Sequence, residues 1–182
     1  GAGAPASISL ALTGCGILSL SRPPDAEGVA AKYVAEMFIE RIAFLGSGRN
    51  EAPAIYIGAA AITQKVSTQE IDQILLQYTE TQLSLVKLEA RNDKNHQHLY
   101  VHLPDQTLVY DASASEAFQM PIWFVLVSTL SNLAQYRARN LVWAYDKWLV
   151  GDPQSSNIGY LVQETGHHWG QQVRWEFGTI IV

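Results

Sequence analysis

The chain has 182 residues, 48% of them hydrophobic and 16% charged, which is enough apolar material for one sizeable core or for one part of a larger assembly. The formal net charge is −5 and the basic residues form no run, which argues against an electrostatic grip on nucleic acid and predicts no sequence-specific nucleic-acid partner. A single cysteine, Cys15, excludes an internal disulfide framework.

Residues 1–31 differ in composition from the rest of the chain and are rich in Ala, Gly, Ser and Leu. The stretch "ASISLALTGCGILSL" is too short and too polar to span a bilayer, and no positively charged region precedes it. We therefore expect no targeting segment and no membrane partner. Residues 1–31 are predicted to be an atypical lead-in, either disordered or at an edge of the fold, and residues 32–182 to be the folded domain.

An insert at residues 67–82 is predicted to be helical. Ser67 followed by Glu70 is a capping-box signature, and apolar residues at 71, 74, 75 and 78 follow the spacing of an amphipathic helix from Ser67 to Tyr78. Four polar residues lie on its other face: Gln69, Asp72, Gln73 and Gln77. They are candidates for contact with a neighbouring subunit. The alternative is that the helix simply caps an open end of the sheet stack.

The remaining elements are predicted to be strands that repeat along the chain. Strands at Ile42–Leu45 and Ala54–Ile57 precede the insert, and "LYVHLPDQTLVYD" and "LVWAYDKWLVGD" then resemble each other, with turns at 104–106 and 146–147. Further strands are predicted at 121–128 and 158–164. Once the insert is left out, the repeat is about 40–45 residues long, which is the length of a β-propeller blade.

The sequence therefore predicts an all-β fold of antiparallel, propeller-like blades with one inserted short amphipathic helix. About three blades are visible, whereas a closed propeller has about four to eight. We therefore expect a partial propeller, which is either a fragment of a longer protein, the interpretation that we favour, or a unit whose copies complete one another by association.

Three histidines share one face of a strand if that strand is regular: His96, His98 and His102. The alternating residues Leu99, Val101 and Leu103 form an apolar face, so the histidines are interpreted as the solvated or interfacial face. Zinc needs three or four converging ligands, and neighbours on one face of a strand are roughly 6.6 Å apart. We therefore predict no metal site. His96 and His98 are the alternative ligand candidates, for which Asp93 or Asp111 would have to supply a further ligand.

No catalytic constellation is predicted, and neither is a cofactor. His167 and His168 are adjacent, so on a strand they point to opposite faces. Ser113 and Ser115 are interpreted as loop residues, without the strand–turn–helix setting of a nucleophilic serine. We therefore expect the protein not to be an enzyme.

Two further groups of residues are candidates for binding. Arg137 and Arg139 share one strand face and are interpreted as exposed inter-subunit or inter-blade partners of carboxylates. Five tryptophans could instead stack on sugars: Trp123, Trp143, Trp148, Trp169 and Trp175. Most of them are expected to fill the space between sheets, but a carbohydrate-binding propeller module is the alternative function.

Several motifs in residues 40–182 resemble one family in matching order: "GRNEAPAIYIG", "KVSTQEIDQILLQYT", "LYVHLPDQTLVYD", "YRARNLVWAYDKWLVGDP" and "WEFGTIIV". They are similar to the packaged-DNA stabilization proteins of short-tailed phages, which are the tail hub or head-completion proteins. The resemblance implies a non-enzymatic virion structural protein that closes the portal and retains packaged DNA. It also implies a ring of subunits that contacts the head-to-tail adaptor, tail needle and tailspike. Its location would be the virion tail, and the host cytoplasm during assembly.

Overall fold

The structure is a computed structural model that describes residues 7–11, 17–21, 28–29, 35–38, 41–47, 52–59, 62–128, 136–173 and 176. These residues form small antiparallel sheets and three short helices, which confirms the predicted all-β class. Among them, no helix is long and apolar enough to cross a bilayer.

The N-terminal part of the chain contains a hairpin and the first sheet. The hairpin pairs β1 (Ser7–Ala11) with β2 (Ile17–Ser21). The first sheet contains β3 (Gly28–Val29), β4 (Ala35–Phe38), β5 (Arg41–Ser47), β6 (Ala54–Ala59) and β7 (Ile62–Lys65). Both β3 and β4 pair with β5, which is followed across the sheet by β6 and β7. The two strands predicted before the insert are thus confirmed as β5 and β6, while the domain boundary after residue 31 stays a prediction.

The second and third sheets follow in chain order. The second sheet contains β8 (Lys87–Asp93), β9 (His96–His102), β10 (Thr107–Asp111) and β11 (Ile122–Leu126). The third sheet contains β12 (Arg139–Ala144), β13 (Lys147–Gly151) and β14 (Ile158–Tyr160), and a hairpin follows with β15 (His167–His168) and β16 (Gln171–Gln172). The second and third sheets are each a meander of consecutive strands, as the repeat predicts.

The second sheet is covered on both faces. Leu88, Leu99, Val101, Leu103 and Leu108 point to the first sheet and pack on its buried residues, among them Leu45 and Ile55. On the other face, Tyr100 and Val109 pack on Tyr136, Ala138 and Val150 around the third sheet. From Leu99 to His102, no residue of β9 is more than 2% exposed. Of the two alternatives predicted for the histidine face, solvated or interfacial, the solvated one is therefore wrong at His102, because the third sheet covers this part of the face.

Tight turns join the strands of three hairpins. Each turn has two central residues with positive φ, as in type I′ turns: Lys94 and Asn95, Tyr145 and Asp146, Trp169 and Gly170. The turn predicted at 146–147 therefore lies one residue earlier. This conformation matches the right-handed twist of paired strands, so the chain accepts a left-handed backbone even at Tyr145 and Trp169.

The helical insert differs from the single helix predicted. Helix α1 (Gln69–Leu75) begins after Thr68, whose side chain accepts a hydrogen bond from the Ile71 amide, and α2 (Glu80–Leu83) begins after Thr79. The first helix therefore ends three residues before the predicted Tyr78, and Thr79 and Gln82 form a complete capping box that starts a second helix within the insert. Ser67 is not the cap, because its buried hydroxyl instead accepts a hydrogen bond from the Ile55 amide.

The loop predicted around Ser113 and Ser115 is instead helix α3 (Ala112–Phe118). Asp111 caps it by accepting a hydrogen bond from the Ala114 amide at 2.9 Å. The Ser115 hydroxyl donates to the Asp111 carbonyl and accepts from the Ile122 amide. This serine therefore joins the helix to β11 instead of breaking the helix.

Candidate interaction surface and buried polar contacts

The helical insert has one buried and one exposed side. Ile71, Leu75 and Leu83 belong to the core between the first and second sheets, so the insert covers one end of that core. The opposite side exposes polar and apolar residues together: Gln69, Gln73, Gln77, Leu76 and Leu85. Leu76 and Leu85 are 50% and 77% exposed, and a mixed surface of this kind is typical of contact sites between proteins.

Asp72 does not lie on the exposed side, so its predicted place there was wrong. Its carboxylate accepts a hydrogen bond from the Ser67 hydroxyl at 2.7 Å and pairs with the Lys65 ammonium group at 2.5 Å. Asp72 is only 8% exposed and lies next to the buried Ile71 on the helix. Its role is therefore to fasten α1 to the first sheet.

Arg137 binds within its own sheet and is not an exposed cation. Its Nε and Nη2 atoms donate to the two carboxylate oxygens of Asp152 at 3.0 and 2.5 Å, and its guanidinium lies 5.3 Å from the centre of the Trp169 ring. The hydrogen bond from Arg137 holds the pKa of Asp152 well below its usual range. This bidentate pair joins a residue two positions before β12 to the residue after β13.

Arg139 lies half-buried at the start of β12. Its Nε and Nη2 atoms make no hydrogen bond within the part of the chain that the structure describes. Burial lowers the pKa of the guanidinium, and the charge of Glu89 opposes that shift. The predicted contact of Arg137 and Arg139 with another subunit stays a prediction.

Glu89 joins the second sheet to the third. One carboxylate oxygen accepts from His102 Nε2 at 2.8 Å and from the Asn140 amide at 3.1 Å, and the other accepts from Lys87 Nζ at 2.8 Å and from the Leu141 amide at 3.3 Å. Burial opposes ionisation, but the hydrogen bonds and charges of His102 and Lys87 outweigh it and lower the pKa of the carboxyl to about 2. Sequence reasoning missed this residue.

His102 completes this buried contact. Its Nδ1 atom lies 3.2 Å from the hydroxyl oxygen of Thr107, while its Nε2 atom faces Glu89. Burial lowers the pKa of the imidazole, and the hydrogen bond to Glu89 opposes that shift. His102 therefore joins β8, β9 and β10 within the second sheet and is separate from the other two histidines of β9.

His96 and His98 converge on Asp111. The Oδ2 atom of Asp111 lies 2.9 Å from His96 Nδ1 and 3.3 Å from His98 Nε2, and the two imidazole rings are stacked 5.7 Å apart. Asp111 is the direct cross-strand partner of His98 in the pairing of β9 with β10. Of the two aspartates suggested by the sequence, Asp93 instead forms an ion pair with Arg91.

The tryptophans divide into buried and exposed residues. Trp123 packs on the first core and donates its indole N–H to the Val66 carbonyl at 2.9 Å, and Trp169 packs on the second core. Trp143 is 56% exposed and forms an edge-to-face pair with Trp148 beside a cavity of about 480 Å³. Trp175 lies outside the described residues.

Comparison with known proteins accounts for this architecture. The family model described as "Bacteriophage P22 Gp10, beta-propeller" matches residues 26–166. The tail hub protein gp10 of Salmonella phage P22 is 27% identical over 146 residues, which make up 80% of this chain and 30% of that protein. The match confirms the predicted propeller class and the resemblance to phage stabilization proteins. It begins earlier than the predicted residue 40 and ends at residue 166, before the predicted residue 182. The chain therefore belongs to the bacteriophage P22 Gp10 family of β-propeller proteins.

Proposed function

We propose that this chain is part of a tail hub, a non-enzymatic structural component of a phage virion. In this role it closes the portal, retains packaged DNA, and links the head adaptor to the tail. The observation that carries the proposal is the family match over residues 26–166, together with the similarity to the tail hub protein of phage P22. The chain spans 30% of the length of that relative, so the role of the whole relative is carried over as a proposal.

The stacked sheets suit a structural protein whose function depends on a rigid shape. Two apolar cores fix the second sheet between its neighbours, and Glu89 adds hydrogen bonds from the second sheet to the third. Closing a channel requires a stiff body and surfaces that bind neighbours, and it requires no reacting group. The acidic net charge is compatible with this role, because DNA can be retained by blocking its exit without binding it.

The proposal is tested with DNA-filled heads that lack a tail hub. Purified protein is added, the heads are separated by sedimentation, and the DNA that resists nuclease is measured. We expect the protein to sediment with the heads and to raise the nuclease-resistant fraction above that of heads given an unrelated propeller protein. Loss of DNA at an unchanged rate, with no protein on the heads, would contradict the proposal.

The exposed side of the helical insert is our candidate for contact with a neighbouring subunit in a ring, or with the adaptor, needle or tailspike. The double substitution Gln73→Glu and Gln77→Glu adds two negative charges there and leaves the buried residues Ile71 and Leu75 unchanged. We expect it to weaken association, measured by sedimentation velocity and by binding to heads, because like charges would have to be desolvated in the contact.

A matched control adds the same charge elsewhere. Gln171 and Gln172 are exposed on β16, and their replacement by Glu is expected to leave association unchanged. If both double variants associate as the unmodified protein does, the insert is only a cover for the core and the contact surface lies elsewhere.

A carbohydrate-binding module is the second candidate function, and it rests on the exposed Trp143–Trp148 pair. The cavity beside the pair is also lined by Arg91, Asn92 and Lys94, which can donate hydrogen bonds to hydroxyl groups. A glycan array and quenching of tryptophan fluorescence test this function. Binding that is lost in Trp143→Ala would support this function. If no glycan binds, only the tail hub proposal is retained.

A further inference from the structure

The strongest unassigned feature of the described residues is the convergence of two imidazoles and one carboxylate at the end of the second sheet. One ligand atom from each of His96, His98 and Asp111 lies within 4.8 Å of the other two. The three residues come from two paired strands, so the sheet register holds their backbones in place. The inference that follows is independent of the proposed function.

The distances are close to those of a metal site. Zinc bonds of about 2.0–2.2 Å in a tetrahedron place the ligand atoms about 3.3–3.6 Å from one another. The separation from Asp111 Oδ2 to His98 Nε2, 3.3 Å, lies at the lower end of this range, and the separation to His96 Nδ1, 2.9 Å, has to widen by about 0.5 Å. The imidazole nitrogens are at most 4.8 Å apart, so they need to approach by no more than about 1.5 Å. The side chain of His96 is 54% exposed and has room to rotate that far.

The surroundings hold the carboxylate ligand in position. Asp111 directs its other oxygen, Oδ1, at the Ala114 amide as the cap of α3, which leaves Oδ2 for the two histidines. The carboxylate side chain is only 8% exposed. A ligand fixed by a backbone hydrogen bond is the usual arrangement around protein-bound metals, because the outer contacts orient the inner ligands.

The spacing of His96 and His98 along the strand does not prevent both imidazoles from reaching one ion. The distance along the strand separates the backbones of His96 and His98, but their rings lean together and stack. The third ligand comes from β10 across the sheet and not from the same strand. Tyr100 lies between His98 and His102 and therefore separates His102 from the other two histidines. His102 is already hydrogen-bonded to Glu89 and is not needed as a ligand.

We propose that His96 Nδ1, His98 Nε2 and Asp111 Oδ2 bind one Zn²⁺ ion per chain. Two imidazoles and one carboxylate are ligands that zinc accepts, and the exposed side of His96 leaves a fourth position for water or for a group from a neighbouring subunit. The ion would join β9, β10 and the start of α3 at one end of the second sheet. Its role is structural reinforcement of that blade.

Zinc binding is measured on purified protein after removal of any tag and treatment with a chelator. Zn²⁺ is added during isothermal titration calorimetry and during thermal unfolding, and Co²⁺ is used as a spectroscopic substitute. We expect uptake of one ion per chain, a higher unfolding temperature because the metal binds only the folded state, and visible d–d absorption with Co²⁺. Absence of heat, of stabilisation and of a Co²⁺ spectrum would overturn the proposal without any variant.

Variants then assign the ligands. His96→Gln and His98→Gln are each expected to weaken Zn²⁺ binding by more than the roughly 10–100-fold that loss of an outer contact costs. Asp111→Asn is expected to do the same while keeping α3 capped, since Asn is as good a cap as Asp. The matched control His167→Gln changes an exposed histidine of β15 and should leave the affinity unchanged. Equal affinity in all four variants would place the zinc elsewhere and refute this site.

Discussion

Replacing Glu89 by Gln is the sharpest test of how the second and third sheets are joined. The carboxylate accepts hydrogen bonds from His102, Lys87 and the backbone amides of Asn140 and Leu141. An amide has one acceptor oxygen and one NH₂ group. In Glu89→Gln the NH₂ group must therefore face at least one donor, whichever way the amide is turned.

The expected cost follows from two independent routes. The pKa of Glu89 falls from an ordinary value of 4.5 to about 2, which corresponds to about 3 kcal/mol of folding free energy at neutral pH. A charge-assisted hydrogen bond contributes about 1.5–3 kcal/mol, and a stranded buried donor costs about 1–3 kcal/mol. We therefore expect Glu89→Gln to lose about 3 kcal/mol at pH 7, or roughly 6–12 °C of unfolding temperature for a chain of this size.

The assay is urea unfolding at a series of pH values from 7 to 3. Because the folded pKa of Glu89 is lower than the unfolded one, its contribution is complete above about pH 4.5 and is lost as the pH falls toward about 2. The unmodified protein should therefore lose more stability than Glu89→Gln over this interval. Burial and the charge of Glu89 raise the pKa of Glu36, which titrates with the opposite sign. Because Glu89→Gln removes that charge, Glu36 gains less stability at low pH in the variant and offsets part of the difference.

Glu116→Gln is the matched control, because it makes the same chemical change at an exposed position on α3. Its pH profile should run parallel to that of the unmodified protein, with a free energy of unfolding within about 0.5 kcal/mol. If Glu89→Gln and Glu116→Gln lose the same small amount at pH 7 and share one pH profile, the joint between the sheets does not depend on Glu89 and the reasoning fails.

Three further predictions test other parts of the fold by urea or thermal unfolding. Leu75→Ala should lower the free energy of unfolding by about 3 kcal/mol, because the side chain is fully buried. The next residue, Leu76, is half-exposed, so Leu76→Ala should lower it by less than about 1 kcal/mol. Equal losses would contradict the packing of the insert. Arg137→Ala should cost about 2–4 kcal/mol because it removes the charge partner of the buried Asp152 and leaves that carboxylate only the Gln154 amide and the Ser155 hydroxyl. Arg137→Lys should recover only part of that cost, since Lys cannot bind both oxygens, and full recovery would argue against a bidentate pair. Tyr145→Asn should raise the free energy of unfolding by about 0.5 kcal/mol, because Asn tolerates positive φ better in a type I′ turn, and a loss of stability would refute that turn.

Alternation and turn chemistry in the sequence predict much of the sheet structure. The strands around Ile42, Ala54 and Leu99 are found where the apolar pattern indicates them, and His96, His98 and His102 do share a face. Period-two alternation says which residues lie together on a face, but it does not say what covers that face. The burial of His102 depends on the third sheet, whose position is a long-range property of the chain.

The remaining differences between prediction and structure arise where contacts with other parts of the chain outweigh the local preference of the sequence. Strand β8 has the mixed sequence "KLEARND", and only its pairing with β9 and the burial of Leu88 make it a strand. Ser115 favours turns in isolation, yet it lies in α3 because its hydroxyl finds partners in the Asp111 backbone and the Ile122 amide. The convergence of Asp111 with the histidines required the register between β9 and β10, which the sequence leaves open.

The position of the second sheet between two others has a consequence for synthesis. Hairpins form in about 1–10 μs, so each meander can close as soon as its strands have left the ribosome. Translation of the roughly 34 residues from Leu126 to Tyr160 takes about 2–7 s. During that time the face of the second sheet that bears Tyr100 and Val109 is exposed, because the third sheet that packs on it has not yet been synthesised. His102 and Thr107 lie on this temporarily exposed face. Polar residues there limit aggregation of nascent chains until the third sheet has been synthesised.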